Sequence, residues 1–96
     1  MNEKDRYFFM IEKLSQKKVD IAFQILSNSC GLVECSNMVQ QYLYFGKGCA
    51  YVCKCFDEIT AEQYSDLEQF LMSAVADLNK LICKVILHED VPEAGV

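Results

Sequence analysis

The chain has 96 residues, a formal net charge of −5 and a composition in which 52% of the residues are hydrophobic. This length predicts a single domain spanning residues 1–96, and the apolar content with only one proline excludes a disordered chain. The negative charge argues against direct binding to a nucleic acid or to an anionic membrane, because both require clustered lysine and arginine.

The N-terminus is charged, and no apolar stretch with a small-residue cleavage site follows it. The apolar runs are also far shorter than the roughly 20 residues that a membrane-spanning helix needs. We therefore expect a cytoplasmic protein without a signal peptide. Residues 1–2 and 90–96 are expected to be frayed, as chain ends commonly are.

Two helices are predicted in the first third of the chain. Apolar residues recur at helical spacing over residues 3–14, which predicts the first helix. Ser15 is a suitable N-cap, because its hydroxyl can accept a hydrogen bond from a free backbone N–H. The same spacing then continues over 16–30, where we expect a second helix that ends at Gly31.

The segment 37–56 has two interpretations. Ser36 and Asn37 resemble a cap, and the apolar periodicity predicts a helix that is apolar nearly all round, as in a bundle centre or a subunit interface. In that helix Phe56 would lie on the buried side, and Gly46 would allow a neighbouring helix to approach closely. The alternative is a β-hairpin over 41–56, because its tyrosines, phenylalanines and valine favour strands and its two glycines favour a turn.

The last predicted helix, 61–87, has the clearest pattern. Thr60 and Gln63 have the spacing of a capping box, and acids at its start and lysines at its end complement the helix dipole. Its apolar residues alternate at spacings of three and four, which gives one straight seam that needs a partner helix. The seam consists of Tyr64, Leu67, Leu71, Ala74, Leu78, Leu81 and Val85.

These elements predict an all-α four-helix bundle with a long, heptad-patterned C-terminal helix. The alternative is an α+β fold with two N-terminal helices, a central β-hairpin at 41–56 and the same long C-terminal helix. Whether the seam is covered by the chain's own middle segment or by a second subunit is open at this point.

The cysteines offer a candidate metal site. Cys49 and Cys53 are four residues apart and share a helix face, and Cys30 and Cys35 could complete a four-thiolate zinc site. The short-spaced cysteine pairs of zinc ribbons are absent, however, so small apolar core residues explain these positions better. The lone histidine, His88, has no orienting partner. We therefore predict no metal, no cofactor and no enzymatic activity.

An acidic surface is a second candidate. Glu58, Glu62 and Asp66 are spaced four apart, and Asp77 follows with no base between them. A solvated helix face explains this pattern. The sharper hypothesis is an inhibitor of the phage or mobile-element type, which docks this acidic face into a basic groove of a nucleic-acid enzyme, an analogy that rests on charge and size alone.

The aromatic content exceeds what a 96-residue monomer readily buries, and tyrosine is common at interfaces because its ring packs while its hydroxyl stays wet. The middle segment contributes Tyr42, Tyr44, Phe45 and Tyr51. We therefore expect a non-enzymatic protein-interaction module that acts as a homodimer. The alternatives are the acidic inhibitor and a small-ligand or metal-binding domain that uses the cysteine-rich residues 49–55.

Overall fold

The computed structural model describes residues 3–27 and 30–88, with side chains from residue 6 onward, and these ranges contain three α-helices and no strand. The helices are α1 (Glu3–Leu26), α2 (Leu32–Cys55) and α3 (Ala61–Val85). The all-α class is confirmed, whereas the four-helix bundle and the central β-hairpin are wrong. The predicted frayed ends, 1–2 and 90–96, lie outside the described residues.

Helix α1 is continuous where two helices were expected. Ser15 lies in its interior, and the buried residues Leu14, Ile21 and Ile25 continue one apolar stripe past it. A serine caps a helix only where the chain leaves the helical conformation, and neither glycine nor proline interrupts this stretch. The periodicity therefore outweighs the local cap signal.

Helix α2 begins at Leu32, five residues earlier than expected. Its N-cap is Gly31, with an extended backbone (φ −78°, ψ 175°), so Ser36 and Asn37 lie inside the helix and cap nothing. The prediction for Gly46 is confirmed, because a Cβ atom there would lie 2.7 and 2.9 Å from the two terminal methyl carbons of Leu71. The glycine thus serves close packing of α2 on α3, not a hairpin turn.

The connection from α2 to α3 is short and well defined. Asp57 adopts a left-handed backbone (φ 59°), which a short polar side chain tolerates better than most. The predicted capping box follows: Gln63 donates its backbone N–H to the Thr60 hydroxyl at 3.0 Å, and Thr60 donates its own N–H to Gln63 Oε1 at 3.0 Å. Two backbone donors at the start of α3 are satisfied in this way.

Helix α3 packs against both other helices, while α1 and α2 contact each other least. Its buried residues are Leu67, Leu71, Ala74, Leu78 and Ile82. The molecule is flattened, with principal extents of 44, 31 and 17 Å. None of the described helices has an apolar stretch long enough to span a bilayer.

Candidate interaction surface

The apolar seam of α3 is covered by the chain itself. Leu67, Leu71 and Leu78 are fully buried, while Tyr64 and Leu81 at its margins are half-buried. Ile82, not Leu81, continues the stripe at the C-terminal end. A straight helix has 3.6 residues per turn, so a strict heptad drifts off the buried line. The seam is therefore the inner face of the monomer.

Tyr42 is also an internal residue. Its hydroxyl donates a hydrogen bond of 2.8 Å to the backbone carbonyl of Leu14, which joins α2 to α1. Burial raises the pKa of Tyr42 to about 12, because the phenolate would lose its hydration. This tyrosine supports the fold and presents no hydroxyl to a partner.

The outward side of α2 is different, because most of its large side chains are exposed. Phe45 and Phe56 keep 73% and 75% of their surface exposed. Spacings of three and four bring the exposed residues together on the side opposite Gly46 and Ala50, which face the core. We name this surface the α2 face, and it consists of Tyr44, Phe45, Gly48, Tyr51, Val52, Cys55 and Phe56.

No charged side chain belongs to the α2 face. The two lysines in this part of α2 lie on its flank: Lys47 is half-buried, and Lys54 places its Nζ 4.8 Å from the ring centroid of Tyr64 on α3. Tyr51 packs edge-to-face on the same Tyr64 ring, with centroids 6.4 Å apart. The face is thus anchored at one edge to α3 and is apolar across its width.

Sequence reasoning identified Tyr44, Phe45 and Tyr51 but not the rest of the face. It assigned Phe56 to the buried side, whereas Phe56 is the C-cap residue, beyond the last helical turn, and is exposed. Gly48, Val52 and Cys55 were not among the predicted interaction residues. The signal that could have found Gly48 and Val52 is the spacing of residues 45, 48, 52 and 56, a second stripe beside the buried one.

The cysteines do not form one cluster. Cys35 is buried and its thiol donates to the carbonyl of Cys30 at 3.8 Å, whereas Cys49 and Cys53 lie farther along the same helix. Fourteen residues of helix separate Cys35 from Cys49, a distance of about 21 Å at 1.5 Å per residue. The candidate four-thiolate zinc site is therefore geometrically excluded.

All six cysteines lie in the described part of the chain, and none forms a disulfide. Within that part, no group of three or more histidines, cysteines or acids is placed to hold a metal ion. Burial raises the pKa of Cys53, with a further contribution from its hydrogen bond to Glu58. Burial likewise raises the pKa of the Cys35 thiol, so both favour the protonated form.

The predicted acidic face is divided. Glu58 lies in the connection before α3, where one oxygen is 3.3 Å from Arg6 Nε. Asp77 accepts a hydrogen bond of 2.9 Å from Lys18 Nζ. Glu62 and Asp66 are exposed and form no ion pair with any described residue. The four carboxylates thus do not form one uniform edge, since two of them are neutralised within the chain.

Comparison of the chain with protein-family models, with curated proteins and with solved structures finds no match.

Proposed function

We propose that this chain is a non-enzymatic protein-interaction module that associates with a second copy of itself through the α2 face. The supporting observation is a contiguous, uncharged and largely aromatic surface on the outward side of α2. Exposed apolar patches of this kind commonly mark interaction sites, whereas isolated exposed apolar residues need no explanation. Tyrosine and phenylalanine also bury much surface at little cost in side-chain entropy.

The absence of charge on the α2 face is compatible with a second copy as the partner. Two chains that each carry a net charge of −5 repel each other, and this repulsion is weakest where the meeting surfaces are uncharged. The α2 face meets this condition, because Lys54 is directed towards Tyr64 and the unpaired acids Glu62 and Asp66 belong to α3. Self-association through this face brings no like charges into direct contact.

Gly48 suggests how two copies fit. Glycine in a helix interior costs about 1 kcal/mol relative to alanine, and a Cβ at Gly48 would meet nothing within 4 Å in the monomer. The fold of one chain therefore gives no steric reason for this glycine. In an antiparallel pair of α2 helices that cross at Gly48, Tyr44 of one copy lies opposite Val52 of the other, which is a self-complementary arrangement.

Sedimentation analysis over a range of concentrations tests the proposal. We expect a reversible dimer for the natural chain. Val52→Glu should raise the dimer dissociation constant by more than about tenfold, because the new carboxylate would be buried without a partner. Val19→Glu is the matched control: both valines are about half exposed (52% and 53%), but Val19 lies on α1, away from the α2 face.

A natural chain that stays monomeric at high concentration would overturn the proposal. So would dissociation by Val19→Glu combined with no effect of Val52→Glu, since that result would place the contact on α1. Circular dichroism of both variants checks that the helices persist. The acidic-inhibitor alternative has weaker support, because Glu58 and Asp77 are already paired with Arg6 and Lys18.

A further inference from the structure

A second feature lies between α1 and α2, which contact each other less than either contacts α3. A cleft of about 400 Å³ opens there, with Leu14 and Ile21 on one wall and Met38, Tyr42 and Phe45 on the other. The hydroxyl of Tyr42 is already bonded to the Leu14 carbonyl, so its ring gives the cleft an apolar floor. This volume is in the range of small-molecule sites, which lie at about 300–1,000 Å³.

The mouth of the cleft is positively charged. Lys13 and Lys17, one helical turn apart on α1, both line it. The described residues form only two salt bridges, Arg6 with Glu58 and Lys18 with Asp77, so neither lysine of the cleft is neutralised by a carboxylate. Lys13 makes only a weak cation–π contact, in which its Nζ lies 5.4 Å from the ring centroid of Phe9.

Two exposed lysines without an ion pair to any described residue therefore lie beside an apolar cleft. We propose that this cleft binds a single-chain amphipathic carboxylate of the fatty-acid class. Its alkyl chain occupies the space between Leu14, Ile21 and Met38, and its carboxylate lies between the ammonium groups of Lys13 and Lys17. The amide of Gln41, also at the cleft, adds a hydrogen-bond donor.

The size of the cleft favours a free small molecule over a macromolecule. A partner helix needs a groove several turns long with repeated anchor positions, whereas the lining residues of α2 span only about two turns, from Met38 to Phe45. A bilayer surface would contact an exposed, convex basic patch, not the floor of a cleft between two helices. This site shares only Phe45 with the α2 face, so the inference does not rest on the proposed dimer.

Isothermal titration calorimetry with decanoate, kept below its micelle concentration, tests the site. We expect saturable binding of one decanoate per chain. The double change Lys13→Gln and Lys17→Gln should weaken it at least about tenfold, through loss of two charge-assisted contacts. The matched control is Lys80→Gln with Lys84→Gln, an equally spaced and exposed lysine pair on α3, which should leave the affinity unchanged.

Four further measurements test the proposal more sharply. Decyltrimethylammonium, with the same alkyl chain and the opposite charge, should bind at least about tenfold more weakly than decanoate. Met38→Glu should abolish decanoate binding, and ¹⁵N chemical shifts of the natural chain should move along the helical segment Met38–Phe45 on titration. Vesicles rich in anionic lipid should not bind the chain.

The inference fails if decanoate shows no saturable binding, or if it binds only above its micelle concentration. It also fails if the two lysine double variants bind decanoate equally well, or if the chain binds vesicles but not monomeric decanoate. Circular dichroism confirms folding of each variant, and the lysine variants exchange exposed side chains only, so they should retain the helices.

Discussion

Two apolar stripes of this molecule can be compared directly, the inward side of α3 and the outward side of α2. Both repeat at spacings of three and four. The α3 stripe, which includes Leu71 and Leu78, is fully buried within one chain, whereas Phe45 and Phe56 of the α2 face remain about three-quarters exposed. Regular periodicity therefore identifies a surface that must be covered but does not say what covers it.

The position of each helix accounts for the difference. Helix α3 contacts both α1 and α2, so its single stripe is covered from two sides. Helix α2 is apolar on two sides but has neighbours on one, where Gly46 and Ala50 are buried. Several large apolar residues are therefore exposed on α2, whereas Met72 is the only exposed one among the described residues of α3. This difference between α2 and α3 is what the following experiments test.

The largest effect is expected at the centre of the α3 stripe. Leu71→Ala should lower the free energy of unfolding by about 3 kcal/mol, because it removes buried surface and leaves a cavity. Met72, the next residue, is 54% exposed, and Met72→Ala should change stability by less than about 0.5 kcal/mol. Urea unfolding followed by circular dichroism measures both. Equal losses for the two variants would contradict the assignment of this stripe to the core.

The two glycines of α2 give a sharper test, because the same change to alanine should lower the free energy of unfolding at one glycine and raise it at the other. At Gly46 the added methyl group collides with the Leu71 methyl carbons, and Leu71 is fully buried, so its side chain has little room to move aside. Overpacking costs about 1–3 kcal/mol against a gain in helix propensity of about 1 kcal/mol, so we expect a net loss of stability. At Gly48 the space is open, so Gly48→Ala should stabilise the monomer by about 0.5–1 kcal/mol.

Unfolding at low protein concentration isolates the monomer effect of these two variants. Sedimentation at high concentration then tests Gly48 separately, since Gly48→Ala should weaken the proposed dimer while it stabilises the single chain. A Gly46→Ala variant as stable as Gly48→Ala would show that α2 and α3 are less closely packed than the 2.7 Å approach requires.

Local signals in the sequence were sufficient to predict where α3 begins and which of its sides is buried. The capping box of Thr60 and Gln63 depends on four consecutive residues, and Gly46 needed only the expectation that a glycine on an apolar stripe permits close approach. The prediction that Ser15 begins a helix is wrong, because a residue caps a helix only where the chain leaves the helical conformation. Nothing in a single residue distinguishes a serine that begins a helix from one that lies within it.

The surface features could not be predicted in the same way. A helix that is apolar nearly all round, like α2, has no sequence signal for which side faces inward, so Phe56 was assigned to the wrong side. The cleft depends on the distance between α1 and α2, which no local pattern encodes. Lys13 and Lys17 indicate a binding site only because they line a cleft whose other residues are mostly apolar.

The buried Tyr42 and the exposed Tyr44 allow the inward and outward sides of α2 to be compared as the pH is raised. Tyr42 has its pKa raised to about 12 by burial, so the folded state favours its neutral form. Its contribution to stability is therefore complete below the ordinary pKa of 10 and is lost as the pH rises from about 10 to about 12. Tyr42→Phe should lower stability at neutral pH by about 1 kcal/mol, through loss of the hydrogen bond to Leu14, and should reduce the decline above pH 10.

Absorbance titration of the phenolates measures this directly, with the exposed Tyr44 as the control. The natural chain should show one tyrosine that ionises later than the others, and Tyr42→Phe should remove that late step while Tyr44→Phe leaves it in place. A titration curve that is the same for the natural chain and Tyr42→Phe would contradict the buried position of this ring.

The smallest effect is expected at the edge of the covered stripe, where Lys18 of α1 pairs with Asp77 of α3. The hydrogen bond and the charge of Lys18 hold the pKa of Asp77 below its ordinary value of 3.8. The pair therefore stabilises the fold above that value, and its contribution is lost as the pH falls through the lowered pKa. Since Asp77 is largely exposed, Asp77→Asn should cost no more than about 0.5 kcal/mol at neutral pH.

The control for this pair is Asp66→Asn, the same change at an exposed acid that has no ion pair and lies beyond the first turn of α3, and it should cost less than Asp77→Asn. Urea unfolding at neutral pH and well below 3.8 measures both variants. The cost of Asp77→Asn should vanish at the lower pH, where the natural carboxyl is protonated too. A cost that persists in acid would mean that the Asp77 side chain stabilises the contact between α1 and α3 through packing and not through its charge.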